Sequence, residues 1–344
     1  MSNSRPTLLT HRDSPEYCLA FYIFCTEPWE DILLNCIQPL SEQIITEKLA
    51  TRYFFIRYWE NGPHIRLRFF GNETQLNEQV KPLVLSAVNN YLKKHPTKRE
   101  EPEWLSTAPG SDHYWFPNDS IQIIAYEPET DRYGGPAAIT ASEIHFQDSS
   151  NAVFSLLEPG SEWSYDRALG AAIQLHLSFA HAAGMDLTEA QEFFTFIFSG
   201  WLPRAYTNFG NEPADVLENR RELTLKAFKE NFSAQQEFLV EYHQMLWEAF
   251  QSGEEFEEEW LNNWIDQVTQ LSSLLKELQQ KGKLQFSPDT SHLTVFTTPF
   301  EKQQLWFIYS SYVHMTNNRL GILNRDEAYL GYLLRESLKT LINS

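Results

Sequence analysis

The chain has 344 residues, and its 42% hydrophobic content, with 24 Phe, 15 Tyr and 10 Trp, is enough to bury the core of one large domain or two ordinary ones. Its 46 acidic and 27 basic residues give a formal net charge of -19, which opposes an extended nucleic-acid interface because such binding depends on cations that neutralise phosphates. We therefore expect no direct contact with DNA or tRNA.

The N-terminal third of the sequence predicts a mixture of strands and helices. Residues 1–14 are polar and are expected to be flexible. Compact apolar and aromatic runs predict strands, and apolar residues at helical spacing predict the helices between them. The predicted strands are 17–25, 52–59, 63–70 and 121–126, and the predicted helices are 26–49 and 74–94. Asn61-Gly62 separates the second and third strands, where this dipeptide favours a tight hairpin turn.

The remainder of the sequence has mainly helical periodicity. The predicted helices are 136–157, 163–184, 188–200, 212–251, 256–281 and 300–317, with a last helix that begins at Asn324. Asn324 to Glu327 resembles a capping box in which Asn324 is the N-cap. We therefore predict an α+β fold, with a mixed strand and helix N-terminal third followed by a mainly helical remainder. A single domain is expected over 15–344, with a β-containing part of about 15–135 and a helical part of about 136–344.

The second strand of the predicted hairpin places His64, Arg66 and Arg68 on one face, because alternate residues of a strand point to the same side. The apolar residues between them then point into a core. Two neighbouring guanidinium groups repel each other unless an anion lies between them. The pattern therefore favours an anion-binding face, and its alternative is an ordinary solvated or salt-bridged strand face.

The loop after the last predicted strand, 126–136, is a second candidate site. It contains Gly134-Gly135, which permits unusual backbone angles, and it places Glu129 and Arg132 close together in sequence. Binding groups are common on loops that follow a buried strand. The alternative is an ordinary helix entry with a local ion pair.

His314 marks a third candidate, near the end of an apolar and aromatic helix. Ser310 and Asn318 lie one turn away on the same helical face. Histidine has the side-chain pKa nearest neutrality, so His314 is a candidate for proton transfer. The alternative is a hydrogen-bonded core histidine.

Other kinds of site lack support. His176 and His181 are five residues apart, on different sides of a helix, and Cys18, Cys25 and Cys36 contain no Cys-x-x-Cys pair, so we expect neither a metal site nor disulfides. Glycine-rich nucleotide loops and a Gly-x-Ser-x-Gly elbow are missing, so candidate chemistry is expected to need no cofactor. No apolar segment reaches signal-peptide or membrane-spanning length, so a cytoplasmic protein without a membrane span is expected.

Three segments, taken in order, resemble the C-terminal elimination domain of class I lantibiotic dehydratases. They read Phe-Phe-Ile-Arg-Tyr to His-Ile-Arg-Leu-Arg-Phe over 54–69, Tyr-Glu-Pro-Glu-Thr-Asp-Arg-Tyr-Gly-Gly-Pro over 126–136, and His-Met-Thr-Asn-Asn-Arg-Leu over 314–320. The resemblance extends from about Tyr17 to near Leu341. It implies a stand-alone lyase of ribosomal peptide biosynthesis, which expels glutamate from glutamylated Ser or Thr of a precursor peptide to leave dehydroalanine or dehydrobutyrine.

The resemblance also implies roles for individual residues. The elimination arginines of the family match Arg66, Arg68 and Arg132, the acidic partner matches Glu129, and the proton-transfer histidine matches His314. Arg66 or Arg68 would hold the glutamyl group, Arg132 would support developing negative charge, and His314 would move either the alpha proton or the proton of the leaving group. His64 and Asn318, beside these groups, are added as substrate-binding candidates.

The implied partners are a glutamylated precursor peptide and a separate tRNA-dependent glutamylating subunit. Two alternatives remain open. One is a pyridine synthase of thiopeptide pathways, which has the same fold and joins two dehydroalanines by an aza-[4+2] cycloaddition. The other is a non-catalytic protein that binds a precursor peptide or the glutamylating protein.

Overall fold

The computed structural model describes residues 16–103, 105, 114–157, 163–207, 212–253, 255–286 and 300–344. The chain divides into two compact units, Met1–Pro128 and Glu129–Ser344. The expected flexible segment at 1–14 lies outside the described residues. The expected single domain stays a prediction.

The described part of the first unit contains an antiparallel sheet of β1 (Tyr17–Phe24), β2 (Arg52–Tyr58), β3 (His64–Gly71) and β4 (Ser120–Ile123), in the order β2-β3-β1-β4. The hairpin between β2 and β3 turns through Asn61 and Gly62, whose φ angles are 60° and 107°. Both values lie in the left-handed region, as the Asn-Gly pair predicts. In the register of the sheet, Arg66 on β3 lies between Tyr22 on β1 and Ile56 on β2.

Two helical segments supply the apolar side chains that complete the core of this unit. Helix α1 comprises Glu30–Ile32, a π-helical turn at Leu33–Ile37, and Gln38–Thr46. Helix α2 comprises Glu73–Gln75, a π-helical turn at Leu76–Val80, and Lys81–Lys94. The apolar faces of both helices are buried, as are Phe21, Leu67 and Phe69 on one face of the sheet. The helices lie where the sequence predicts them, although α1 begins later than the predicted start at residue 26.

The described part of the second unit is helical. Its elements are a 3₁₀ turn at Thr130–Tyr133, α3 (Ile139–Leu156), α4 (Tyr165–Ala182), α5 (Leu187–Tyr206), α6 (Ala214–Ser252), α7 (Glu259–Gln280), α8 (Phe300–Leu320) and α9 (Asn324–Asn343). Side-chain caps begin α4 and α5, where Ser164 and Asp186 accept hydrogen bonds from backbone N–H groups. The fold is α+β with a mainly helical remainder, as predicted.

The capping box predicted at Asn324 is wrong. Leu323 occupies the N-cap position of α9 without a side-chain cap, and Asn324 is the first helical residue. Glu327, the expected capping carboxylate, is instead buried and hydrogen-bonded to His314 and Asn317 on α8. The Glu327 carboxylate therefore bonds to side-chain donors on α8 instead of to the backbone N–H group that a capping box would supply.

Candidate functional site

His64 on β3 is buried and uses both ring nitrogens. Its Nδ1 lies 2.8 Å from the carbonyl oxygen of Gly62, so Nδ1 carries the proton and Nε2 accepts a hydrogen bond from Nε of Arg66 at 3.0 Å. Burial, together with the nearby Arg66 and Arg68, lowers the pKa of His64 to about 4. His64 is therefore neutral near pH 7 and holds the Arg66 side chain in place.

Arg66 lies between aromatic rings on the same sheet face. Its guanidinium carbon is 3.5 Å from the ring centroid of Tyr58 and 4.6 Å from that of Tyr22. A guanidinium group stacks favourably on such rings, which hold it without neutralising its charge. Nη2 of Arg66 also lies 3.3 Å from the exposed carboxylate of Glu60, and an exposed pair of this kind contributes little to stability.

Arg68 is a buried cation, with only 8% of its surface exposed. Its guanidinium carbon lies 4.3 Å from the ring centroid of Tyr126 and 5.2 Å from that of Phe54. Its Nε has no hydrogen-bond partner, and no carboxylate among the described residues pairs with it. A buried charge without a counter-ion is costly, so this position favours the binding of an anion.

Arg132, in the 3₁₀ turn that opens the second unit, points to α8. Its Nε donates a hydrogen bond to Oγ of Ser311 at 3.2 Å, and its Nη1 lies 3.5 Å from a carboxylate oxygen of Glu129. About a third of the Arg132 side chain is exposed, which leaves donors for a ligand. The local ion pair between Glu129 and Arg132, which the alternative interpretation of this loop predicts, is present, and the Glu129 carboxylate is largely exposed.

The glycine pair beside Arg132 fits this turn tightly against the helices. Gly134 and Gly135 have φ angles of 84° and 88°, which side chains rarely adopt. A Cβ atom on Gly134 would lie 2.9 Å from the side chain of Ile308 on α8, and one on Gly135 would lie 2.8 Å from Cβ of Gln285. Both positions therefore require glycine, and the close approach fixes the turn that carries Arg132.

His314 forms a dyad with a buried carboxylate. Its Nδ1 lies 2.8 Å from Oε1 of Glu327, which is only 1% exposed. An ionised carboxylate can only accept, so Nδ1 carries the proton and Nε2 is left free to accept one. Trp201 stacks on the imidazole at 4.5 Å, with an interplanar angle of 27°. These contacts fix both the tautomer and the orientation of the ring.

A hydrogen-bonded chain of side chains orients Glu327 in turn. Nδ2 of Asn317 donates to Oε2 of Glu327 at 3.1 Å, and Oδ1 of Asn317 lies 2.7 Å from Nε2 of His176. Burial lowers the pKa of His176 to about 4, so His176 is neutral and donates through Nε2. Each donor in this series of hydrogen bonds faces an acceptor, and the Glu327 carboxylate accepts hydrogen bonds from both His314 and Asn317.

Hydrogen bonds between α3 and α8 hold the helix that carries His314. The hydroxyl groups of Ser142 and Tyr312 lie 2.7 Å apart, and those of Ser149 and Thr316 lie 3.0 Å apart. Arg319 donates to the backbone carbonyl of Met315 and to Oγ of Ser150 on α3. Buried, satisfied polar pairs of this kind fix the register of two packed helices.

The predicted site residues therefore fall into two groups. His64, Arg66 and Arg68 share one sheet face of the first unit, as the strand period predicts. Arg132, which pairs with Glu129, contacts α8 of the second unit at Ser311, three residues before His314 and on the same helical face. Asn318 is half-buried, one turn beyond His314 on α8. The roles assigned to these residues stay predictions.

Sequence reasoning missed the groups that support His314. Three of these groups, Glu327, His176 and Trp201, lie on three other helices, and Asn317 lies on α8 itself. Contacts between residues far apart in sequence leave no periodic signal. The available signal was the polar stripe on an apolar helix, since buried polar groups require partners.

The two groups differ in their chemistry. The first supplies two guanidinium groups, which bind carboxylates and stay charged. The second supplies an oriented histidine that can accept or return a proton, next to a third guanidinium group. Within the described ranges, no set of three or more His, Cys, Asp or Glu residues could hold a metal ion.

No helix in the described part of the chain is long and apolar enough to cross a membrane.

Solved structures share this fold. The pyridine synthase TbtD from thiomuracin biosynthesis superimposes with a TM-score of 0.71 and 18% identity, covering 95% of this chain and 99% of TbtD. TsrL superimposes with a TM-score of 0.65 and 15% identity, covering 95% of this chain and 95% of TsrL. The tRNA-dependent lantibiotic dehydratase MibB from Microbispora sp. 107891 superimposes with a TM-score of 0.56 and 18% identity, covering 97% of this chain but 29% of MibB.

Sequence comparisons identify the family. The subtilin biosynthesis protein SpaB of Bacillus subtilis is 30% identical over 138 residues, which are 37% of this chain and 11% of SpaB. The match thus spans a small part of that relative. The family model described as the C-terminal region of lantibiotic biosynthesis dehydratases matches residues 19–338, nearly the whole chain. The chain therefore belongs to the family of lantibiotic biosynthesis dehydratase C-terminal domains.

Proposed function

We propose that the chain is a lyase that expels glutamate from glutamylated Ser or Thr of a precursor peptide, leaving dehydroalanine or dehydrobutyrine. In this reaction a base removes the alpha proton, the neighbouring amide carbonyl carries the developing negative charge, and the C–O bond to the ester breaks so that glutamate leaves with a free carboxylate. The reaction needs a site for an anionic leaving group, a group for proton transfer and a cation at the developing charge. The proposal places the reaction in the cytoplasm and requires no cofactor.

The observation that carries the proposal is the buried guanidinium group of Arg68. It is stacked on Tyr126 and Phe54 and lacks an acidic partner among the described residues. A glutamyl substrate provides the carboxylate that such a cation requires, because Arg binds carboxylates through paired hydrogen bonds. Arg66, on the same face and stacked on Tyr58, supplies a second cation.

His314 is assigned the proton transfer. Because Nδ1 donates to Glu327, Nε2 is the atom that takes the alpha proton or delivers a proton to the leaving carboxylate. Glu327 stabilises the imidazolium that forms when Nε2 gains a proton. Arg132, held by Glu129 and Ser311, supports the negative charge that develops on the substrate.

The proposal implies two partners. The substrate is a precursor peptide that already carries glutamyl esters, and a separate tRNA-dependent protein makes those esters. The net charge of -19 is consistent with this division, because it disfavours direct handling of tRNA by this chain.

A second candidate is the aza-[4+2] cycloaddition of a pyridine synthase. The observation that favours it is structural similarity, because the chain superimposes on the pyridine synthase TbtD with a TM-score of 0.71 and on the dehydratase MibB with a TM-score of 0.56. Cycloaddition releases no glutamate, so it gives no role to a buried cation such as Arg68. A binding role without catalysis is the third candidate.

The test is mass spectrometry of a synthetic peptide with a glutamyl-Ser ester after incubation with the purified chain. We expect loss of glutamate to give dehydroalanine, and we expect His314→Ala, Arg66→Ala and Arg68→Lys to abolish that loss. His95→Ala is the matched control, since His95 is an exposed histidine of the first unit. An unchanged ester would refute elimination. Conversion of a peptide with two dehydroalanines would then identify a cycloaddition, and retention of both peptides would indicate binding alone.

A further inference from the structure

An exposed apolar stripe runs along α6. Val216, Leu223, Phe238 and Met245 are 41%, 58%, 67% and 56% exposed, respectively, and they share one face of the helix. They lie within a sector of about 60° around the helix axis. The buried residues of α6 lie on the opposite side of the helix, and they are Phe232, Leu239, His243, Leu246, Trp247 and Phe250. The stripe therefore faces away from the core of the unit.

The spacing of the stripe is symmetric about its centre. With the exposed Ala227 and Ala234, the apolar residues follow one another at intervals of seven, four, seven, four and seven residues. This eleven-residue period matches a straight helix closely, so the stripe does not wind around the helix. Read in either direction, the intervals are the same, and the midpoint falls between residues 230 and 231. Because of this symmetry, the stripe is complementary to a second copy of itself in the antiparallel orientation.

One pair of opposite charges, Arg220 and Glu241, lies in the same sector of α6 and obeys the same symmetry. Arg220 and Glu241 lie at equal distances from the midpoint, so in an antiparallel pair Arg220 of each copy meets Glu241 of the other. A parallel pair would instead place like charges opposite each other at both positions, which is unfavourable. Arg220 already pairs with Glu212 in its own chain, which orders its side chain. Charge and spacing therefore favour the same antiparallel arrangement.

We propose that α6 is the interface of a two-fold symmetric dimer of this chain, in which the two α6 helices pack antiparallel through the stripe. Val216 of one copy contacts Met245 of the other, and Leu223 contacts Phe238, at both ends of the interface. The small side chains of Ala227 and Ala234 meet at the centre, where they let the two helices approach closely. The contact runs for about 44 Å along each helix. This inference goes beyond the proposed function and does not depend on it.

The first test is the mass of the full chain in solution by light scattering during gel filtration. We expect about twice the chain mass of 40.2 kDa at micromolar concentrations. Leu223→Glu together with Phe238→Glu should weaken dimerisation at least about 100-fold, because each substitution buries a carboxylate twice in the symmetric interface. Ile342→Glu is the matched control, since Ile342 is also exposed, at 42%, but lies on α9. A monomeric wild-type chain, or a dimer that these stripe substitutions leave intact, would overturn the proposal.

The second test fixes the direction of the pairing. A disulfide joins Cα atoms about 4.4–6.8 Å apart, whereas residues 227 and 234 of one helix are about 10 Å apart, so a 227–234 disulfide must join two chains. The double variant Ala227→Cys/Ala234→Cys should therefore form a cross-linked dimer on oxidation, with the 227–234 bond identified by peptide mapping. Neither single variant should do so efficiently. Cross-linking of 227 to 227 or of 234 to 234 would indicate a parallel pair and refute the proposed arrangement.

Discussion

At the scale of the residue, the dyad of His314 and Glu327 is the part of the candidate site with the most defined geometry. We predict that Glu327→Gln lowers the rate of elimination about 10- to 100-fold. The amide can still bond to Nδ1, but it carries no charge to stabilise an imidazolium, and its nitrogen can force the other tautomer. The measurement is the rate of glutamate release as a function of pH, together with ¹⁵N NMR of the His314 ring.

The control for this prediction is Glu336→Gln on the same helix. Glu336 is partly exposed and pairs with Arg335 at 3.1 Å. The exchange should leave both the rate and the His314 spectrum unchanged. A Glu327→Gln variant with the wild-type rate profile and the wild-type tautomer would show that Glu327 only packs against His314. A changed tautomer with an unchanged rate would separate the dyad from catalysis.

Arg68 allows stability and function to be separated. We predict that Arg68→Met raises the free energy of unfolding by about 1 kcal/mol, because a buried charge without an acidic partner is replaced by an apolar side chain of similar length. The lost stacking on Tyr126 and Phe54 offsets part of this gain. The same variant should lose elimination. The measurement is urea unfolding of the variant and the wild type, in parallel with the peptide assay.

The matched control is Arg57→Met on the neighbouring strand. Arg57 is buried too, but its Nη1 lies 2.8 Å from Oε1 of Glu30. Its loss leaves a partly buried carboxylate without its partner, so the free energy of unfolding should fall by about 2 kcal/mol. Opposite signs for the two substitutions would support an anion site at Arg68. A fall of similar size in both would mean that Arg68 serves the fold.

At the scale of the element, the contact between α5 and α9 depends on a glycine. A Cβ atom on Gly331 would lie 3.1 Å from the backbone nitrogen of Phe198 and 3.2 Å from its Cα. We predict that Gly331→Ala lowers the free energy of unfolding by about 1–3 kcal/mol, because the backbone of α5 must move. Gly200→Ala, in α5 with no atom within 4 Å of its Cβ position, should raise it by about 1 kcal/mol. Thermal or urea unfolding measures both, and a stabilising Gly331→Ala would contradict the tight crossing.

The elements were predictable because their signals are local. The described helices and strands occur within a few residues of the predicted bounds, except that α5, predicted over 188–200, extends to Tyr206. Asn61-Gly62 adopts the predicted left-handed angles. The capping box at Asn324 failed because Glu327 had two possible sets of donors, and only the fold brings His314 within its reach. Sequence periodicity gives the face of a side chain but not the identity of a distant partner.

In the candidate site, too, the local features were predictable from the sequence and the contacts between distant residues were not. The shared face of His64, Arg66 and Arg68 follows from the strand period alone. Its burial does not, because burial depends on rings from other segments, such as Tyr22 and Tyr126. The contact of Arg132 with Ser311 joins residues 179 positions apart, which local patterns cannot reveal.

At the scale of the whole molecule, buried histidines make stability depend on pH. Burial lowers the pKa of His64, His176 and His243 to about 4 and that of His145 to about 3, from the ordinary 6.5. At a pH between the folded and the unfolded pKa of these histidines, the unfolded chain binds more protons than the folded chain. The free energy of unfolding therefore decreases as the pH falls from about 6.5 towards 4. Burial raises the pKa of Asp148 to about 8, and this carboxyl group opposes the trend because the folded state binds its proton more tightly.

His243 isolates the contribution of one such histidine. Neither of its ring nitrogens has a hydrogen-bond partner, and its side chain lies fully within the core. We predict that His243→Phe gains about 2 kcal/mol of stability relative to the wild type when the pH is lowered from 7.5 to 5, because the variant has no imidazole to protonate on unfolding. The comparison cancels the contributions of Asp148 and of the overall acidic charge, which both proteins share. The measurement is the urea unfolding free energy of each protein at the two pH values. An equal loss in both would mean that His243 takes up a proton in the folded chain as readily as in the unfolded chain.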